Sequence, residues 1–299
     1  MQPTRWDTPA GEATTDHATT PVARCDSDEK ITFLGHATVV IEIAGIRLIT
    51  DPVLRQQVGP LRRRTPRPLL GPLADIDVVL ISHLHLDHYD PASLRLLDAG
   101  VPIVGPPGSA RSLGRRGFTD VHELRPGESL SLGGIEIAAT EARHRGTRHP
   151  LARRTPSNGY VISGGGRHLY FAGDTGLFAG MADLWDDLDV ALLPIAGLGP
   201  WMPEFKHLSP RHAVRAAQLL RPRLVIPIHW GTYHLPGTVL MRMRPDVHRR
   251  APYVFVREAV ALEPEIRTVL LDPGESLDLA EELAFAHRSP AAAPGREEA

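Results

Sequence analysis

Residues 77–88 read Asp-Val-Val-Leu-Ile-Ser-His-Leu-His-Leu-Asp-His: an apolar, β-branched run that ends in four metal-ligating side chains. Within 77–82 no charged residue interrupts Val78, Val79, Leu80 and Ile81, the pattern of a strand buried on both faces. His83 and His85 stand two apart, so in extended chain both side chains project to the same side. Asp87 and His88 follow where the chain leaves the strand. Imidazoles and carboxylates concentrated over so few residues are what a divalent cation needs. An ordinary polar surface turn would not interleave Leu84 and Leu86 with these donors directly after a buried strand.

The rest of the composition narrows the chemistry. The chain has 299 residues, 42% of them hydrophobic, enough to bury a substantial core. A formal net charge of −2 removes the general electrostatic attraction to nucleic acid, so no nucleic-acid partner is expected. No apolar run reaches membrane-spanning length, and no integral membrane association is expected. Residues 1–30 carry Arg5, Asp7, Glu12, Asp16 and Asp26 without the apolar stretch of a secretory signal, so the expected location is cytoplasmic. A single cysteine, Cys25, excludes an internal disulfide and a multi-cysteine zinc site. With 15 histidines in the chain, a metal would be held by imidazole and carboxylate.

Residues 1–29 and 288–299 lack apolar periodicity and read as a disordered arm and tail. Residues 30–287 read as one domain. Strands are expected at 31–34, 38–43, 46–50, 77–82, 101–104, 129–132, 135–139, 160–163, 168–172, 190–194 and 224–228. Helices are expected at 91–99, near 180–187 and at 209–220. In the last, Ser209 is the N-cap, Pro210 suits the first turn, and Ala213, Ala216, Ala217 and Leu220 form the apolar face. Strand–helix–strand units after a strand-rich start point to an α/β protein with two sheets sandwiched between helices. Three further donors then stand just past expected strands: His144, Asp174 and His229.

With these residues in place, the chain resembles the metallo-β-lactamase superfamily over about residues 30–286. His-Leu-His-Leu-Asp-His at 83–88 matches the superfamily's HxHxDH motif, and His144, Asp174 and His229 stand where its later ligands stand. It is most similar to the branch of N-acylphosphatidylethanolamine-hydrolysing phospholipase D and ascorbate-6-phosphate lactonase-like proteins. The matching stretches are Phe-Leu-Gly-His-Ala-Thr (33–38), Ile-Thr-Asp-Pro (49–52), Phe-Ala-Gly-Asp-Thr-Gly (171–176) and Ile-Pro-Ile-His-Trp (226–230). The resemblance implies a four-layer αββα sandwich and two divalent metal ions, zinc by default, with manganese or iron(II) also compatible with these ligands. It implies that His83, His85 and His144 bind the first ion, that Asp87, His88 and His229 bind the second, and that Asp174 bridges them.

Such a pair of ions supplies hydroxide at neutral pH, so hydrolysis by metal-bound hydroxide is the expected mechanism, with Asp87 orienting or deprotonating the water. His207, just before the 209–220 helix, is expected to give a proton to the leaving group. Two readings stay open for Asp51: acceptor of a hydrogen bond from a ligating imidazole, or an Asx turn before Pro52. His36 reads equally as a residue of the site's mouth and as a satisfied structural histidine.

Segments 55–68 and 143–154 carry five arginines each and no acid. In this fold both should flank the metal rim, which makes Arg62, Arg63, Arg64 and Arg148 candidates for holding a small-molecule or lipid-like anionic substrate. Against that, Lys30 and Lys206 are the only lysines, so arginine carries nearly all positive charge wherever it falls. Trp201, in the apolar segment 196–205, reads either as part of a lid over an acyl or aryl group or as ordinary loop packing. The expected activity is hydrolysis of a phosphodiester or phospholipid-like anion. The alternatives are a lactonase or carboxylic-ester hydrolase on the same site, or a metal-binding protein without turnover; the full ligand set speaks against the last.

Overall fold

Residue-by-residue alternation builds the first sheet. In the computed structural model, which describes residues 29–68, 71–73, 75–144, 155–196, 207–236, 247–262 and 266–288, the first strands are β1 (Lys30–Gly35), β2 (Thr38–Ile43) and β3 (Ile46–Thr50). β4 (Gln57–Val58), β5 (Leu61–Arg63), β6 (Val78–Leu80), β7 (Ile103–Gly105) and β8 (Val121–Glu123) follow. Further along lie β9 (Ser129–Leu132), β10 (Ile135–Glu141), β11 (Asn158–Gly164), β12 (Arg167–Phe171) and β13 (Val190–Pro194). The last strands are β14 (Leu224–Ile228), β15 (Tyr233–His234), β16 (Arg267–Thr268) and β17 (Ser276–Asp278). The α-helices among the described residues are α1 (Pro91–Leu94), α2 (Ser109–Gly114), α3 (Pro210–Leu220), α4 (Val247–Leu262) and α5 (Leu279–Arg288).

One sheet has the order β17-β1-β2-β3-β6-β7-β8 and the other β16-β14-β13-β12-β11-β10-β9. In the first, Ile31, Phe33, Val39, Ile41, Leu48, Val78 and Leu80 join a core that continues through the second sheet to α3, α4 and α5. Their alternating neighbours Val40, Ile49, Val79, Ile81 and Ile103 pack on the opposite side with Leu94 of α1 and Leu113 of α2. The result is a four-layer αββα sandwich, the architecture that the resemblance implies. No helix among the described residues is long and apolar enough to cross a membrane.

Strand direction then decides where loops end up. β2 runs antiparallel to both β1 and β3, and β6 runs parallel to β3, so β1, β3 and β6 point the same way. In the other sheet β10 and β12 both run antiparallel to β11, and β12, β13 and β14 are parallel. The C-terminal ends of these strands form two facing rims. Bonds that stitch the rims together include Asn158 N–H to Ser82 O at 2.9 Å, Tyr160 Oη–H to Ile81 O at 2.9 Å, and His229 N–H to His36 O at 2.7 Å. A small sheet, β15-β5-β4, stands beside them.

Several elements depart from expectation. Helix α1 ends at Leu94 rather than 99, because after its Asp90 cap the chain tightens: Leu96 and Leu97 donate three residues back, to Ser93 and Leu94. The helical stretch expected at 180–187 is a 3₁₀ turn, Ala179–Asp183. The α3 helix begins as expected, with Ser209 accepting from His212 N–H. Helix α4 was not anticipated, since Pro252 inside it reads as a breaker. Strands β4, β5, β15, β16 and β17 are too short to carry a periodic signal.

Gly173 shows how closely the rims approach. It has φ +56°, and a Cβ there would fall 2.5 Å from Ser82 Cβ. Gly173→Ala therefore combines about 1–3 kcal/mol of left-handed strain with an overpacking cost of about 1–3 kcal/mol. Chemical denaturation should register a loss of at least the smaller of these; unchanged stability would mean that the rims have slack.

Candidate metal centre

Each donor singled out in the sequence directly follows a strand that ends at these rims. His36 follows β1, Asp51 follows β3, and His83, His85, Asp87 and His88 follow β6. His144 follows β10, Asp174 follows β12 and His229 follows β14. All are buried except His85, which is half-buried. Because the strands share a direction, donors from six parts of the sequence meet in one place.

They meet as two sets. His85 Nδ1 lies 2.9 Å from His83 Nε2 and 3.1 Å from His144 Nε2, and Asp174 Oδ2 is 3.8 Å from both of those Nε2 atoms. In the second set, His88 Nε2 and His229 Nε2 are 3.0 Å apart, and each is 3.6 Å from Asp87 Oδ2. Asp174 closes this set too, with Oδ1 3.2 Å from His229 and Oδ2 3.4 Å from His88.

The outer nitrogens explain why the inner ones carry lone pairs. His88 Nδ1 donates to Asp51 Oδ2 at 2.6 Å, and His229 Nδ1 donates to Ala196 O at 2.5 Å. His83 Nδ1 donates to Ser82 Oγ at 3.0 Å, while the Ser82 hydroxyl is spent on Asp51 Oδ2 at 2.5 Å. With the protons outside, Nε2 of His83 offers a lone pair to the interior, and Nε2 of His88 and His229 offers one wherever a cation takes the place of the proton that the neighbouring carboxylates favour there. Lone pairs at these separations repel, and among the described residues Asp174 Oδ1 is buried without a hydrogen bond. Converging lone pairs around an unbonded carboxylate oxygen are a cradle for cations. The donor atoms of His83, His85, His144 and Asp174 all lie within 4.8 Å of one another, as do those of His36, Asp87, His88 and His229. These donor types suit zinc, manganese or iron(II).

Electrostatics points the same way. Burial, reinforced by His88, His144 and His85, holds His83 well below its ordinary value, so it is neutral. Burial pushes Asp87 and Asp174 upward, but the imidazoles around them outweigh it and hold both carboxyls well below the usual range. Burial opposes charge on His88, yet Asp174, Asp87 and Asp51 raise it well above its ordinary value. The carboxylates thus demand positive charge, which a proton supplies in part and cations supply in full. Burial and His229 bring His36 down to about 3, leaving it neutral. Three non-glycine residues adopt left-handed backbone here: Asp51 (φ +35°), His36 (φ +58°) and His229 (φ +63°).

His207 reaches the centre from the turn before α3. It is buried, its Nδ1 lies 3.4 Å from Asp174 Oδ2, and among the described residues neither ring nitrogen makes a hydrogen bond. The arginines divide. Arg63 is buried and donates to Leu34 O from both terminal nitrogens at 3.1 Å, so it braces loops and does not face a substrate. Arg55 is clamped on Asp90 by two bonds, 2.7 and 2.8 Å. Arg62 and Arg67 are exposed and Arg64 is half-buried. Arg148 and Trp201 lie outside the described residues.

The role of Ser82 was missed in the sequence, although a hydroxyl closing an apolar strand just before the histidines was its signal. The Ala196 carbonyl that orients His229 is main chain and leaves no such signal. Asp51 accepts from Ser82 N–H as well, at 2.7 Å, so one carboxylate orients His88 and, through Ser82, His83. Asp51→Asn keeps a residue tolerant of left-handed backbone but breaks this pattern. Metal affinity, measured by competition with a chromophoric chelator, should fall about 10- to 100-fold; an unaltered affinity would remove Asp51 from the centre.

A family model described as a beta-lactamase superfamily domain matches residues 46–230. The chain is 32% identical over 243 residues to N-acyl-phosphatidylethanolamine-hydrolyzing phospholipase D 1 of Caenorhabditis elegans, covering 72% of this chain and 67% of that protein. It is 32% identical over 256 residues to a metal-dependent hydrolase of Methanopyrus kandleri, covering 83% of this chain and 99% of that one. Among solved structures it is similar to Igni18, a metallo hydrolase from Ignicoccus hospitalis, with 25% identity, a TM-score of 0.62 and coverage of 83% and 97%.

Proposed function

Since the chain belongs to the beta-lactamase superfamily and is a metal-dependent hydrolase of the metallo-β-lactamase fold, we propose that it works with two divalent ions on a phosphodiester or phospholipid-like anion. The observation that carries this reading is Asp174, whose two oxygens face both donor sets. His83, His85 and His144 would hold one ion, Asp87, His88 and His229 the other, and Asp174 both, with zinc as the proposed metal. Bound there, the ions would acidify a water and polarise the oxygen of the bond under attack.

The chain's own groups do the rest. Asp87 stays ionised among its imidazoles and orients the attacking water by accepting its hydrogen bond. His207, with no hydrogen bond of its own among the described residues, delivers a proton to the leaving oxygen. The exposed Arg62 and Arg67 on the neighbouring small sheet and its loop favour an anionic reactant. The phospholipase D relative supports a phosphodiester within a lipid-like molecule.

Purified protein should contain two ions per chain. Stripping them should abolish turnover of bis(p-nitrophenyl) phosphate and re-addition should restore it; turnover indifferent to chelation would sink the reading, and lactone turnover in place of the diester would overturn its substrate half. His207→Gln should lower kcat about 100- to 10,000-fold for a diester with a poor alkoxide leaving group. The loss should be much smaller for p-nitrophenolate, which needs no proton, and metal content should not change. Equal losses on both substrates would exclude the proton-donor role. Arg62→Gln with Arg67→Gln should raise KM for the anionic diester by up to about five-fold per charge removed and flatten its salt dependence, with kcat unchanged. A KM and salt dependence equal to the parent's would remove these arginines from substrate binding.

A further inference from the structure

His36 belongs to neither the HxHxDH motif nor the later strand-end donors, yet it is buried against the second donor set. Its ring Nε2 lies 3.0 Å from Asp87 Oδ2. Its carbonyl accepts the His229 N–H at 2.7 Å, and the two imidazole rings lie 3.8 Å apart, centroid to centroid. Its own N–H donates to Thr232 Oγ1 at 2.7 Å, and Thr232 in turn donates to Trp230 O at 3.1 Å. One residue of the β1–β2 turn therefore holds Asp87 by its side chain and His229 by its main chain.

The backbone is shaped for this. His36 sits at φ +58° directly after Gly35 at φ +106°, a tight left-handed pair. A Cβ on Gly35 would lie 2.9 Å from Thr232 Oγ1, the atom that accepts the His36 N–H. Strain at a non-glycine residue persists where its surroundings over-determine it, and here the determining contacts all lead to one half of the metal centre. The other half, His83, His85 and His144, is organised around Asp174 and Ser82.

We propose that His36 is the positioning residue of the second donor set. Its Nε2–H fixes Asp87 Oδ2 beside His88 and His229, so that its loss weakens the second metal site and spares the first. The inference rests on the two-ion reading above. Deleting a partner that orients a ligating carboxylate should weaken the affected site about 10- to 100-fold.

The experiment measures zinc content and chelator competition on the full chain and two variants. His36→Asn tolerates the left-handed backbone but is too short to reach Asp87; His36→Gln can place an amide N–H where Nε2–H stood. The parent should hold two zinc ions per chain, His36→Asn one tightly and the second about 10- to 100-fold more weakly, and His36→Gln two again. Retention of the first ion reports that the Asn variant is folded. Two ions held by His36→Asn as firmly as by the parent, loss of both together, or failure of His36→Gln to restore the second would each overturn the positioning role. A parent with fewer than two ions would overturn the two-ion reading and this inference with it, and is distinguished by being seen before any substitution.

Discussion

Asp51, Asp87 and Asp174 are all withdrawn from water, and the inner nitrogens of five imidazoles point into the volume they enclose. Taking a carboxylate out of water costs several kcal/mol unless opposite charge meets it there, and lone pairs about 3 Å apart add repulsion of their own. Positive charge at this spot therefore stabilises the fold. Protons answer part of the demand, as the raised His88 shows. Cations answer it more completely, because one ion can meet several lone pairs at once while a proton meets one or two. Folding and metal binding are coupled through this charge balance.

Everything around the centre can be understood as what is needed to hold repelling groups together. The two sheets supply a dry apolar interior, and their common strand direction delivers the donors to a single pair of rims. Ser82, Asp51 and the Ala196 carbonyl fix the outer nitrogens of three rings, so the inner ones cannot turn away. Left-handed backbone at Asp51, His36 and His229 is held by hydrogen bonds on every side, such as those from His229 N–H to His36 O and from Asp51 N–H to Leu80 O.

Much of this is legible in the sequence because burial and chemistry leave different marks there. The apolar run 77–82 announces a strand covered on both faces, and a donor placed just beyond a strand end announces convergence, as with His144, Asp174 and His229. What stays hidden is whatever depends on main chain or on reach. The Ala196 carbonyl has no side-chain signature, and a helix that accommodates Pro252 contradicts the local rule for proline. Arg63 reads like its neighbours Arg62 and Arg64, but its long stem carries the guanidinium inward to main-chain carbonyls. No pattern in one dimension separates an arginine that braces a loop from one that faces solvent.

That division of the arginines changes how the charge of the chain should be understood. A total of −2 conceals two strongly basic segments, but the segment at 55–68 is not a uniform anion-binding face. Arg55 and Arg63 are consumed in holding the loop and the small sheet against the rim, and only then do Arg62 and Arg67 stand exposed on the same short stretch. Buried or clamped arginines and exposed ones thus alternate along one short stretch. Solvent reaches the donors at the half-buried His85, and His207 packs against His144, its partner in the same set. On the proposed reading, an anion drawn to the rim would meet the more open donor set and His207 on that side, while the second set, braced by Asp51, Ala196 and His36, stays fixed behind it.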